Sequence, residues 1–312
     1  MLFVTMLYEL DRSEWGAKFK RPFGNYLMAL FKLIKHLERT GHEILVFGAN
    51  DTIEAMCNLF PYATYVHKPL EEFHMYKQRN VLKAALHGKI KLWSSPEFTR
   101  GDYIALQQSK FEAVLIALRM NPRATVTWID GGIRYSPFDM APAWDDVETH
   151  MFIHPSKIWG CQCAETIASE WLVLHTPTQQ VQGSVWGGTA PAMEWLCNTA
   201  LGEAHRLLQQ GEVANDQQLL SLLHIKHPER FSLRKLYTVY IPGVFSQINV
   251  GHKHFLSKLL ENRDTVHYNY TLLGLIAIPI GLSLLYKASQ ASVQKQRAAM
   301  ASLLNDYAVQ HP

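Results

Sequence analysis

Cysteine is scarce in this sequence of 312 residues, which contains four. Their positions are Cys57, Cys161, Cys163 and Cys197. Four cysteines are too few for a disulfide scaffold, and only two of them lie close together, without the second pair that a zinc site needs. We therefore expect structural cysteines in a protein of a reducing compartment.

Net charge is low as well. Lys and Arg exceed Asp and Glu by 3, and no long basic run occurs. Because nucleic-acid-binding proteins concentrate Lys and Arg on one surface, we expect no nucleic-acid partner. The chain starts with a strand-like apolar segment and has no basic region ahead of a long apolar stretch, so we expect no secretory signal and a cytoplasmic location.

Long apolar runs are limited to one, residues 271–286. As a helix this run would be about 24 Å long, whereas the hydrocarbon core of a membrane is roughly 30 Å thick. Pro279 would also bend it. The run therefore disfavours a full crossing and leaves open a buried helix, a homo-oligomer contact or a peripheral contact with the inner face of the membrane. We place it in a helical extension, residues 263–312, that follows a main domain of residues 1–262.

Strand-like and helix-like patterns alternate through the main domain. The pattern predicts strands at residues 2–10, 43–49, 64–66, 125–129, 149–153, 181–189 and 236–241. It predicts helices at residues 26–40, 50–59, 102–119, 165–171, 192–210 and 216–224, a loop at 137–144, and an insertion over the sheet at 70–96 with two weak helical patterns. This order is typical of an α/β fold with a doubly wound, mainly parallel sheet flanked by helices.

The predicted strand at residues 125–129 ends in Asp130, which Gly131 and Gly132 follow. Ligands of open α/β sheets bind outside the carboxyl ends of the strands, so a carboxylate at this position is well placed to meet a metal or a diphosphate. Glycines there let a ligand approach the backbone closely. The alternative is an aspartate that only closes a turn.

Three separated blocks of sequence resemble the HtrL/YibB family, bacterial proteins that are similar to nucleotide-sugar-dependent glycosyltransferases of the GT-A fold. The blocks are residues 3–15 with Arg21 and Tyr26, residues 109–132, and residues 187–231. Together they span roughly residues 2 to 235. The chain differs from the family pattern at Gln217, where Glu is common, and from most GT-A enzymes in having a lone Asp130 instead of Asp-x-Asp.

The resemblance implies transfer of a sugar from a UDP-sugar or another nucleotide sugar to a glycan or other hydroxyl acceptor, with assistance from Mn²⁺ or Mg²⁺. Asp130 would act in catalysis and hold the metal, with His252 and His254 as further ligands or as plain surface histidines. Asp216 opens a predicted helix and would act as the general base, or as its N-cap. The candidate nucleotide- and donor-binding residues are Tyr8, Arg12, Lys110, Asp130, Gly131, Gly132, Gly187 and Gly188.

Three other functions stay open at this point. The lack of a second aspartate beside Asp130 is consistent with a catalytically inactive protein that binds a nucleotide or sugar. Asp130 together with clustered histidines is consistent with a metal-dependent hydrolase. Residues 271–286 are consistent with a membrane-associated assembly factor. Trp15, Trp128 and Trp186 offer apolar faces either to a sugar or to the protein core.

Overall fold

The computed structural model describes residues 1–11, 23–87, 96–131, 156–162, 169–175 and 181–235. All of them lie in the first of the two units into which the chain divides, Met1–Thr238 and Val239–Pro312. The proposed boundary at residue 262 and the apolar run 271–286 lie outside the described residues, as do the predicted segments at 137–144, 149–153 and 236–241.

Seven strands and their flanking helices make up the described part of the chain. The strands are β1 (Leu2–Leu7), β2 (Glu43–Gly48), β3 (Thr64–His67), β4 (Thr125–Ile129), β5 (Ile158–Gln162), β6 (Val181–Thr189) and β7 (Phe231–Lys235). The α-helices are α1 (Phe23–Thr40), α2 (Asn50–Leu59), α3 (His74–Lys77), α4 (Arg79–Leu86), α5 (Pro96–Thr99), α6 (Gly101–Met120), α7 (Glu170–His175), α8 (Ala190–Gln209) and α9 (Asp216–Lys226). None of these described helices combines the length and the apolar character needed to cross a membrane.

The strands form one mainly parallel sheet in the order β3-β2-β1-β4-β6-β5-β7. Only β6 runs against its neighbours, since it pairs antiparallel with both β4 and β5. The prediction of an α/β fold with a mainly parallel sheet is therefore confirmed, and the arrangement is compatible with a Rossmann-like fold. The chain order moves outward from β1 to β2 and β3 on one side and to β4 on the other. The carboxyl ends of β1 and β4 thus form a topological switch point, where ligands of such sheets bind.

Both faces of the sheet are covered by apolar packing. On one face, Phe3 and Ile129 belong to a buried cluster that includes Leu30, Ile34 and Leu37 of α1. The helix ends where Gly41 adopts a φ of 71°, which glycine tolerates far better than other residues. Because α1 buries one side against the sheet, its apolar residues recur at helical spacing, and this spacing predicted the helix at residues 26–40.

The other face of the sheet packs against α6. The indole rings of Trp128 and Trp186 stack with their centroids 6.1 Å apart, and the Phe111 ring lies 5.3 Å from Trp186. Both indoles are fully or almost fully buried. Trp128 and Trp186 therefore serve the core rather than presenting open faces to a sugar, whereas Trp15 lies outside the described residues.

The sequence did not predict β5 and β7. Gly160 interrupts the short strand β5, and a register shift between Gly160 and Gln162 makes its pattern irregular. In β7 the apolar Phe231 and Leu233 alternate with the polar Ser232 and Arg234, a period of two that is short but readable. The other boundaries differ by a few residues, and the first strand ends at Leu7 because Tyr8 leaves the ladder.

Candidate functional site

Lys110 contacts both of the predicted catalytic residues, Asp130 and Asp216. Its Nζ lies 2.7 Å from Asp130 Oδ1 and 2.5 Å from Asp216 Oδ2. Lys110 belongs to α6, Asp130 follows β4, and Asp216 is the first residue of α9. Three distant segments of the chain thus converge at the carboxyl end of β4, and we refer to these three residues as the Lys110 cluster.

Asp130 is the member of the Lys110 cluster that reaches the surface. Its backbone amide donates to the Ser184 carbonyl at 2.9 Å, which extends the β4–β6 ladder by one residue. Its Oδ1 also accepts a hydrogen bond from Trp128 Nε1 at 2.9 Å. No described residue donates to Oδ2, and the side chain is 33% exposed. Asp130 therefore presents one free carboxylate oxygen at the topological switch point.

Asp216 is sealed inside the protein, with a side chain that is 0% exposed. Its Oδ1 accepts from the Gln217 amide at 2.9 Å, and its Oδ2 accepts from Lys110. The N-cap of α9 is Asn215, which forms a capping box with Gln218. Asn215 therefore provides the cap in place of Asp216. The Asp216 carboxylate contacts Lys110 and has no exposed surface at which an acceptor hydroxyl would meet it as a general base.

The carboxylates on either side of Lys110 affect the pKa values within the cluster. Burial lowers the pKa of the Lys110 ammonium, but Asp130 and Asp216 together outweigh burial and raise it, so Lys110 stays protonated. Burial, together with the charge of Asp216, raises the pKa of Asp130 against the opposing effect of Lys110. Because both carboxylates contact the Lys110 ammonium, Lys110 is already paired and is not available to a diphosphate.

Tyr8, a candidate nucleotide-binding residue, follows β1 directly. Its hydroxyl donates to the Lys68 carbonyl at 2.5 Å, and the side chain is buried. Burial and the nearby carboxylates of Glu72 and Glu71 raise the pKa of Tyr8. The residue lies at the edge of the sheet where we expected it, but its hydroxyl connects β1 to the segment after β3.

Gly131 lies where β4 passes close to β1. A Cβ on this residue would lie 3.0 Å from Thr5 Oγ1 and 3.2 Å from the Met6 carbonyl oxygen. Its φ is not positive. The glycine is therefore explained by packing against β1, while Gly132 lies outside the described residues.

Gly187 and Gly188 are placed away from Asp130. They pair with Thr127 and Val126, the third and second residues of β4, because β6 runs antiparallel to β4. A Cβ on Gly187 would lie 2.6 Å from both Trp159 Nε1 and the Val126 carbonyl oxygen. The space beside Gly187 is filled by the protein itself, so the structure does not bring these two glycines to the candidate donor site.

A different glycine of β6 borders the Lys110 cluster. A Cβ on Gly183 would lie 2.5 Å from Asp216 Oδ2 and 2.6 Å from Gln217 Cγ. The sequence analysis overlooked Gly183, although an isolated glycine inside a strand is a signal that another group approaches the backbone. The close contact with β6 helps to explain why Asp216 is sealed.

The metal proposal depends on Asp130 alone among the described residues. They contain no group of three or more His, Cys, Asp or Glu arranged to hold a metal ion. Arg12, His252 and His254 lie outside them. A single free carboxylate oxygen is still compatible with Mg²⁺ or Mn²⁺, because such ions often take one or two carboxylates and complete their shell with phosphate oxygens and water.

Comparison with known proteins does not assign this chain to a family. No protein-family model matches the chain, and no curated protein shows significant similarity to it. The function is therefore inferred from the Lys110 cluster, its place in the sheet and the three blocks of resembling sequence.

Proposed function

We propose that the protein transfers a sugar from a nucleotide sugar, such as a UDP-sugar, to a glycan or other hydroxyl acceptor, in a domain of the GT-A type. The observation that carries the proposal is the free Oδ2 of Asp130 at the switch point between β1 and β4. The three blocks that resemble the HtrL/YibB family support the same function, and two of them contain members of the Lys110 cluster.

Asp130 would bind the donor through a cation. Bound Mn²⁺ or Mg²⁺ would supply positive charge that neutralises the departing diphosphate. Asp130 Oδ1 is held by Lys110 and Trp128, so the carboxylate keeps one orientation, in which Oδ2 has no described donor. A ligand oxygen that is oriented in advance does not have to be reorganised during the reaction.

Lys110 and Asp216 act behind Asp130 as positioning residues. Lys110 is almost fully buried between the two carboxylates, and Asp216 holds it from the interior. A buried ion pair with both partners present restricts the side chains to one arrangement, although its net contribution to stability is often small. In this proposal the two residues set the geometry and the charge of Asp130 without touching substrate.

A second candidate function is that of an inactive nucleotide- or sugar-binding protein. The observation that favours it is the burial of Asp216, which leaves Asp130 as the single exposed carboxylate of the cluster. Binding of UDP with Mn²⁺ in a calorimeter, followed by an assay for release of UDP from nucleotide sugars, separates the two. Binding without turnover on any donor or acceptor of a broad panel supports the inactive protein.

Asp130→Asn is expected to weaken UDP binding in the presence of Mn²⁺ by about tenfold, because the neutral amide is a poorer ligand for a hard cation. Without metal the variant and the original protein should bind UDP equally. The matched control is Asp51→Asn, which changes an exposed acid in the first turn of α2. Equal loss in both variants, or unchanged Mn²⁺-dependent binding in Asp130→Asn, contradicts the assignment of Asp130.

Asp216→Asn tests the positioning role through the pH profile of turnover. The charge of Asp216 raises the pKa of Asp130, so its removal is expected to lower that pKa. The acidic limb of the profile should move to lower pH, because Asp130 then stays ionised in more acidic solution. A merely structural role would reduce the folded fraction and leave the position of this limb unchanged.

A further inference from the structure

A cleft lies on the outer face of α6 and shares no lining residue with the Lys110 cluster. It has a volume of about 470 Å³. Its walls are formed by Lys68, by His74 and Met75 of α3, by Glu112, Leu115, Ile116 and Arg119 of α6, and by Leu201 and His205 of α8. Sites for small organic molecules typically have volumes of roughly 300 to 1,000 Å³. We call it the α6 cleft.

Positive charge predominates in the α6 cleft. Arg119 makes no hydrogen bond or ion pair with any described residue, and it is exposed. Lys68 Nζ lies 3.5 Å from Glu72 Oε2, but the Glu72 side chain is 59% exposed, so this pair is weak. Lys68 Nζ also lies 5.1 Å from the centroid of the Phe73 ring. Neither contact of Lys68 is a strong ion pair, so an anionic ligand would compete for Lys68 with one weak partner and for Arg119 with no described partner.

The one acidic residue in the wall of the α6 cleft, Glu112, is already engaged. Its Oε2 accepts from the His74 amide at 2.8 Å, and its Oε1 accepts from the Met75 amide at 2.6 Å. These bonds satisfy the first amides of α3 and hold that short helix against α6. The carboxylate thus braces the wall, and its formal negative charge still leaves the two cations of the wall, Lys68 and Arg119, in excess by one.

Two histidines add imidazole nitrogens to the wall of the α6 cleft. His74 Nε2 lies 2.9 Å from Gln78 Nε2, and His205 Nε2 lies 3.0 Å from Gln209 Nε2. Each ring has a second nitrogen, Nδ1, that these glutamines do not contact.

The remaining wall of the α6 cleft is apolar. Leu115 and Ile116 of α6 face Leu201 of α8, and all three are only partly buried. An inorganic ion would leave this surface in contact with water, whereas an organic group would cover it. The free energy gained is roughly 25 cal/mol for each Å² of apolar surface removed from water.

We propose that the α6 cleft binds a small organic oxyanion, in which a phosphate or carboxylate group meets Lys68 and Arg119 while an apolar group packs on Leu115, Ile116 and Leu201. Phosphate and carboxylate share the oxygen acceptors that a guanidinium recognises through paired donors. The site is separate from the proposed donor site, and its occupation does not require sugar transfer.

The test is calorimetry on the full-length protein with phenyl phosphate, inorganic phosphate and benzoate. Phenyl phosphate is expected to bind saturably and more tightly than inorganic phosphate, and comparison with benzoate decides which oxyanion is preferred. Arg119→Gln should weaken phenyl phosphate binding by about tenfold, since a charge-assisted hydrogen bond is lost. Because Arg119 is exposed and contacts no described partner, this variant should keep its Tm.

The matched control is Arg39→Gln, an exposed arginine in the last turn of α1 outside the α6 cleft. It should bind phenyl phosphate like the original protein, and so should Asp130→Asn. The proposal is overturned if neither aromatic oxyanion binds saturably, if Arg119→Gln binds as tightly as the original protein, or if inorganic phosphate binds as tightly as phenyl phosphate. Loss of binding in Asp130→Asn would place the ligand at the other site.

Discussion

Lys110→Met is expected to lower the free energy of unfolding by about 3–5 kcal/mol, the usual effect of removing one partner from a buried ion pair. Methionine has nearly the same length as lysine but carries no charge, so it leaves Asp216 buried beside Asp130 without the ammonium between them. Urea denaturation at pH 7 measures the change, with the midpoint and the slope fitted separately.

Two variants show whether the loss arises from charge. Lys32→Met removes an exposed lysine from α1 and should change stability by less than about 0.5 kcal/mol. The double variant Lys110→Met/Asp216→Asn removes both charges and should recover a large part of the loss, because no unpaired buried charge remains at residue 216. A double variant as unstable as Lys110→Met alone would attribute the effect to packing.

Gly183→Ala is expected to destabilise the protein by about 3 kcal/mol, at the upper end for an overpacked site. The added Cβ would lie 2.5 Å from Asp216 Oδ2, and this carboxylate is fixed by Lys110 and by the Gln217 amide. Asp216 must therefore move away from β6 and disturb Lys110. Thermal unfolding measures the loss of stability, and Mn²⁺-dependent UDP binding measures the disturbance at Asp130.

Gly202→Ala is the matched control for Gly183→Ala. Gly202 lies within α8, and a Cβ there would meet no atom within 4 Å. Since alanine has the higher helix propensity, this variant should be more stable by roughly 0.5–1 kcal/mol. If Gly183→Ala behaves like Gly202→Ala, the approach of Asp216 to β6 is looser than the structure shows.

The sequence predicted much of the local structure at the site. A short run rich in β-forming residues, Val126, Trp128 and Ile129, identified β4, and Asp130 follows its end in the structure as expected. Helical spacing identified α6, and the polar pair at residues 215–216 marked the start of α9. These features depend on neighbours within a few positions, which is the range over which side-chain periodicity and capping act.

The direction of β6 was not readable in the same way. A strand has the same period of two in either direction, so the pattern at residues 181–189 predicted a strand without its orientation. Antiparallel pairing with β4 placed Gly187 beside Thr127 in the middle of β4, away from Asp130, and brought Gly183 to the Lys110 cluster. The strand was correct, but the glycine chosen for the site was not the one that borders it.

The sequence by itself determined the class of the fold and the place of Asp130 at a strand end, because alternating periods and strand boundaries are local properties. Only the tertiary structure decided that Lys110 forms ion pairs with two carboxylates and that Asp216 has no access to solvent. The bond from Lys110 to Asp216 spans 106 positions of the chain. Whether a carboxylate at such a distance is free, paired or sealed depends on how helices pack on the sheet, and no local pattern encodes that packing.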